Sequence, residues 1–266
     1  MEPCMKTATM TTPEKFHSVV QWLVDEILTA KTAPGLIIGL SGTDSIVAFM
    51  AAYRALDRVN KAHRLLGVHF APSDEFLADY PEAETHQWFA TEILPWLRER
   101  APLASIKVDT SIDWRYDGLR WGKLADMSVM DMSDRKMRPS DDKYWVLGTR
   151  NRTEDELNLY SVASTIASVQ PIIRLYKSEI LDICEWLEVP QLVIKKSCEE
   201  DCICGREELR AKFGRELDWI LQAELTGVQS EQYKTMNPWL KQKLTTYAKE
   251  RALKGYYKKV IPYVPS

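Results

Sequence analysis

The chain lacks the marks of several large protein classes. It has no run of about 18 apolar residues, so no helix of it is expected to cross a bilayer. Its first stretch, "MEPCMKTATMTTPEKF", has no apolar segment of the length a signal peptide needs. Neither sign of charge dominates. Lys and Arg number 35 and Asp and Glu 38, giving a net charge of −3 and a general attraction to neither nucleic acid nor anionic membrane. The four histidines are scattered, and no nucleophilic triad can be built around them. The five cysteines are an odd number with three crowded together, unlike a secreted disulfide framework. There is no internal repeat and no low-complexity segment. These absences point to a cytoplasmic protein with neither a membrane nor a nucleic-acid partner.

What is present is ordinary globular material. The 266 residues, 45% hydrophobic and 27% charged, suffice for a proper core. Residues 1–12 read as a flexible tail, and Pro13 and Glu14 then suit a helix start. "GLIIGLS", "RLLGVHFA", "ASIKVDT" and "YWVLGT" read as strands, with "SVQPIIRL" as a fifth short strand or extended segment. "SIVAFMAAYRALDRV" reads as a helix apolar around most of its circumference, and helix is expected through "TEDELNLYSVASTI". Pro95 should kink or split the helix around it. Strands alternating with helices predict an α/β fold. It has a parallel sheet of about five strands with helices on both faces, Rossmann-like, in one domain over 13–266 that becomes helical from about 207.

In such sheets ligands bind at the carboxyl ends of strands. Three polar turns fall there: Ser41–Ser45, Ala71–Asp74 and Gly148–Glu154. The first, "SGTDS", has a glycine, three hydroxyl residues and the start of a helix. Its unpaired N–H groups and positive dipole end form an anion site. The alternative is a plain cap, with Thr43 or Asp44 closing the helix end. The loop is neither a Walker A sequence nor a GxGxxG turn. Asp44 beside phosphates would be repulsive without a cation between them, which hints at Mg2+.

The turn resembles the SGGxDS loop of the N-type ATP pyrophosphatases, the PP-loop enzymes, but is one residue shorter. "VLGTRNRTEDELNLYS" is similar to the GTxNxxE segment of the ammonia-dependent NAD synthetases, a family within that superfamily. "PIIRLYKSEILDICEWLEVP", "KFGRELDWILQAELTG" and the basic ending "YYKKVIPYVP" resemble further segments of the same family, so the likeness runs over 16–265. It implies an adenine nucleotide alpha hydrolase-like fold that binds ATP through Ser41, Gly42, Thr43, Asp44, Ser45, Thr149 and Lys177. Asp44 and Lys177 would serve the chemistry, and Asp44 and Glu154 would share the magnesium ion. The reaction implied is adenylation of a small-molecule carboxylate, nicotinic acid adenine dinucleotide, followed by attack of ammonia to give NAD, in a homodimer. Ammonia would arrive free or from a partner, since no glutaminase segment is present. The family's helix between the third and fourth strands is not recognisable; "KLADMSVMDMSDRKMRP" stands there. The shortened loop either reshapes the phosphate cradle or breaks it, and in the second case a nucleotide-binding protein without catalysis remains.

Cys198, Cys202 and Cys204 offer three thiolates where a structural zinc site usually has four, so Zn2+ is not the favoured reading. The same cluster is faintly similar to the zinc motif of the 7-cyano-7-deazaguanine synthases, also PP-loop enzymes, which makes that reaction the alternative. Trp114 and Trp121, near Arg115 and Arg120, could hold a planar ring. Trp88, Trp96, Trp186 and Trp219 fall on apolar helical faces and read as core. Lys254, Lys258 and Lys259 could close over the site or lie in solvent.

Overall fold

A computed structural model describes residues 10–79, 88–129, 144–199, 208–255 and 258. Helix α1 (Thr12–Trp22) begins with Thr11 as its cap, whose backbone N–H donates to Glu14 Oε2 at 2.7 Å. Strand β1 (Gly35–Leu40) leads into α2 (Thr43–Arg58), and β2 (Leu65–Phe70) into the short α3 (Asp74–Asp79). Helix α4 (Leu94–Arg100) carries Pro95 in its first turn, where no N–H is needed, and a π-helical turn, Phe89–Ile93, precedes it. Strand β3 (Ser105–Asp109), helix α5 (Asp117–Val129) and strand β4 (Tyr144–Leu147) follow. Then come α6 (Arg152–Glu156), α7 (Lys177–Trp186) and α8 (Gln191–Ser197). The C-terminal part is helical, as expected: α9 (Glu208–Lys212), α10 (Gly214–Thr226), α11 (Glu231–Thr235) and α12 (Pro238–Lys254).

The sheet is parallel with strand order β3-β2-β1-β4. It is α/β with helices on both faces, and the period of two decides which residue faces which layer. Leu36, Ile38 and Leu40 join the larger core with α1, α2 and α7, while Ile37 points the other way with Leu66, Val68 and Phe70, under Leu124 and Met127 of α5. Helix α2 is buried over most of its surface, including Ile46, Phe49 and Met50, which explains why its sequence is apolar all round. Each such side chain contributes about 1.5–3 kcal/mol when taken from water. A third cluster, with Leu217, Ile220 and Leu244, joins α10 and α12.

Three expectations need correction. The sheet has four strands among the described residues rather than about five. "SVQPIIRL" contributes a single parallel bridge, Val169 to Leu147, because Pro171 has no N–H to continue the ladder and the chain turns there. The helix after β4 stops at Glu156, and a separate 3-10 turn covers Val162–Ile166. Between them Asn158 takes φ 54°, a left-handed conformation that ends the helix, and its Nδ2 donates to Ala252 O at 2.9 Å. Trp186 is 41% exposed rather than core, although its ring meets Phe16 and His17. The second half of "KLADMSVMDMSDRKMRP", from residue 130, lies outside the described residues.

Candidate active site

The chain leaves β1 toward β2 on one side and later returns to place β4 on the other. That reversal opens a crevice at the carboxyl ends of β1 and β4. A cavity of about 470 Å³ lies there. Ser41, Gly42, Thr43, Asp44, Ser45, Thr149, Glu154 and Lys177, all singled out in the sequence, line this one cavity. His69, Trp114 and Trp121 line it as well.

The shortened loop is fully structured. Ser45 Oγ accepts the backbone N–H groups of Ser41 at 2.8 Å and Gly42 at 3.0 Å, and donates to Gly42 O at 2.8 Å. Gly42 is the cap residue of α2 and has no side chain to cap with, so the third residue of the helix reaches back instead. Neither Thr43 nor Asp44 is the cap. Thr43 Oγ1 lies 2.9 Å from Ser197 Oγ at the end of α8, and Asp44 reaches across the crevice.

The groups facing Asp44 come from distant elements. Asn151 caps α6 by accepting Glu154 N–H at 2.9 Å, and its Nδ2 donates to Asp44 Oδ1 at 2.7 Å. Lys177, the first residue of α7, donates through Nζ to Thr43 Oγ1 at 2.7 Å and forms an ion pair with Asp44 Oδ2. Arg210 Nη2 of α9 lies 2.7 Å from Glu154 Oε1.

The placement of Lys177 rests on how α7 starts. Its cap residue, Tyr176, has no short polar side chain to cap with, so the helix borrows caps. Thr153 Oγ1 accepts Lys177 N–H at 2.9 Å, and Asp218 Oδ2 accepts Ser178 N–H at 2.7 Å. Thr153 in turn donates to Asp218 Oδ1 at 2.5 Å. The fully buried Asp218 of α10 thus fixes the end of α7 that carries the lysine.

Burial works against the charge of Asp44, but Lys177, with Asn151 and Arg210, outweighs it and holds the carboxyl below the usual range. Burial, and the nearby charge of Asp44, push Glu154 up, with Arg210 opposing. Burial raises Asp218 to about 6 despite its hydrogen bonds to Thr153 and Ser178. Burial also lowers His69, whose Nδ1 lies 2.9 Å from Leu40 O while the ring stacks on Phe89.

Thr153, Ser197, Arg210 and Asp218 were not picked out from the sequence, and Asn151 appeared there only as the Asn of the GTxNxxE segment. Asn151 carried a readable signal, a capping residue followed by an acidic first turn. Asp218 carried a weaker one, a carboxylate beside Leu217 at the buried phase of an amphipathic helix. Arg210 carried none. Arg120, expected near a planar ligand, is engaged in an ion pair with Asp117 at the cavity wall. Cys198 is a free, exposed thiol just beyond α8, while Cys202 and Cys204 lie outside the described residues. Among the described residues no group of three or more His, Cys, Asp or Glu is placed to hold a metal ion. Lys258 Nζ donates to the carbonyls of Asn158 at 3.0 Å and Tyr160 at 2.6 Å, beside the cavity, and Lys259 lies outside the described residues.

No protein-family model matches the chain. The NH(3)-dependent NAD(+) synthetases of Thermotoga maritima and Thermotoga neapolitana are each 35% identical to it over 63 residues. That match spans 23% of this chain and 22% of each relative. The solved NH3-dependent NAD synthetase from Campylobacter jejuni superposes with a TM-score of 0.62 at 18% identity, covering 97% of this chain and 100% of its own. NMN synthetase from Francisella tularensis gives 0.60 at 16% identity, with 96% and 99% covered. No helix among the described residues is long and apolar enough to cross a membrane. In fold over nearly its whole length, and in sequence over a shorter stretch, the chain resembles the ammonia-dependent NAD synthetases.

Proposed function

We propose that the chain is an ATP-dependent amide-forming ligase. A substrate carboxylate oxygen attacks the α-phosphorus of ATP, the α–β bridging P–O bond breaks, and pyrophosphate leaves. Ammonia then attacks the acyl carbon of the adenylate and loses a proton, and AMP departs with the electrons of the C–O bond. The observation that carries this reading is the convergence of Lys177, from a helix far along the chain, on the SGTDS loop, with Nζ 2.7 Å from Thr43 Oγ1. Lys177 and the first turn of α2 would stabilise charge on the departing pyrophosphate, and Thr149 would hold a ribose or phosphate oxygen. Positioning and charge neutralisation carry most of the rate, and no side chain need be a nucleophile.

The resemblance makes Asp44 and Glu154 ligands of magnesium. Here each carboxylate already faces a cation, Lys177 and Arg210 respectively, so the pair does not fit a resident ion held by the protein alone. Magnesium belongs to the MgATP substrate, whose own oxygens supply most of its coordination.

The substrate favoured is nicotinic acid adenine dinucleotide, giving NAD. The mononucleotide is the second candidate, because the NMN synthetase matches the fold over an equal span. AMP and pyrophosphate release, measured with ATP, ammonium and each substrate, tests the proposal. Lys177→Ala should lower kcat by about 10²–10³. Asp44→Ala should be impaired as well. ATP binding without AMP release on either substrate would sink the ligase reading and leave a nucleotide-binding protein.

A further inference from the structure

Arg210 lines the same cavity as Asp44 and Glu154. It lies on α9, whose neighbouring Leu209, and Phe213 just beyond, pack against the cluster formed by α10 and α12. Those apolar contacts hold α9 in place while the guanidinium enters the cavity and meets Glu154 Oε1 at 2.7 Å. On the other carboxylate, Asp44 Oδ1 accepts from Asn151 and Oδ2 from Lys177. Among the described residues, three of the four carboxylate oxygens therefore have a donor from the protein. Two carboxylates face two cations, and a dication added between them would leave a part-buried crevice with excess positive charge, which is costly. Removing the guanidinium alone would reverse the balance, leaving two neighbouring carboxylates with one lysine.

We propose that Arg210 is a built-in replacement for a metal ion at Glu154. Glu154 then positions the guanidinium and is not a metal ligand, and the only metal the site uses arrives with the nucleotide. This rests on the reading that the crevice handles MgATP, but its test needs no nucleotide, so the two can fail separately.

The test is a titration of nucleotide-free protein with Mn2+, following free metal by electron paramagnetic resonance. The native chain and Arg210→Lys should retain no stoichiometric Mn2+. Arg210→Ala should bind one equivalent at least about tenfold more tightly than the native chain, and adding Glu154→Gln should abolish the gain. If Arg210→Ala does not fold, Arg210→Gln keeps an N–H donor toward Glu154 without the charge and should show the same gain. The proposal is overturned if the native chain holds an equivalent of Mn2+ that Glu154→Gln removes. It is equally overturned if the folded neutral variant gains none.

Discussion

Asp218 touches neither the loop nor the cavity, yet through Thr153 and Ser178 it sets where the Lys177 ammonium stands. Its acidity gives this link a pH signature. The folded carboxyl titrates at about 6, above its ordinary value of 3.8, so between those values the native state holds a proton that the unfolded chain has released. The proton's contribution to stability is fully present below the lower value and is lost as pH rises through the upper one, by about 3 kcal/mol in all. Asp218→Asn can still accept from Ser178 and donate to Thr153, but it cannot titrate. Chemical unfolding from pH 4 to 7 should show a drop in the native chain that this variant lacks. Equal slopes in the two proteins would remove Asp218 as its source.

At the scale of elements, close packing between strand and helix matters most around β2. A Cβ added at Gly67 would stand 2.6 Å from Leu40 Cδ1 and 3.0 Å from Phe49 Cε2, so the Leu40 side chain at the end of β1 would have to shift and the Phe49 ring of α2 give slightly. Gly67→Ala should cost roughly 1–3 kcal/mol, read from a lowered midpoint in urea with an unchanged slope. Leu40 precedes Ser41 directly, so the same variant should also weaken nucleotide binding. The elements around this contact were readable from the sequence because each strand is a short apolar run stopped by a polar turn. Of the two readings of "SVQPIIRL" the strand failed, because apolar content says nothing about the hydrogen-bond donor that Pro171 lacks. The helix after β4 was misread because Asn158 takes its conformation from a partner on α12, 94 residues away. Separation in sequence also hid Arg210, 56 residues from Glu154, and Asp218, 65 residues from Thr153. Lys177 is as remote from the loop, but it was legible because its segment resembles a family motif, whereas Arg210 falls outside every such segment.

On the scale of the whole molecule, the last described residue packs against the middle of the chain. Lys258 bonds two carbonyls beside the cavity, and the ring of Tyr160, which lines it, stacks under Arg150 at 3.4 Å. Lys258→Met should loosen that wall, raising KM for ATP by about three- to tenfold with kcat nearly unchanged. A fall in kcat with KM unchanged would instead place Lys258 at the reacting groups. The borrowed caps of α7 have a consequence for how the molecule comes into being. During synthesis the four strands are complete once Leu147 has emerged, and the sheet can form. The first turn of α7 has its last outside acceptor only when α10 emerges and docks with Asp218. A nascent or truncated chain can therefore own the SGTDS loop without owning an aligned lysine, and the crevice becomes whole only after the sheet that frames it.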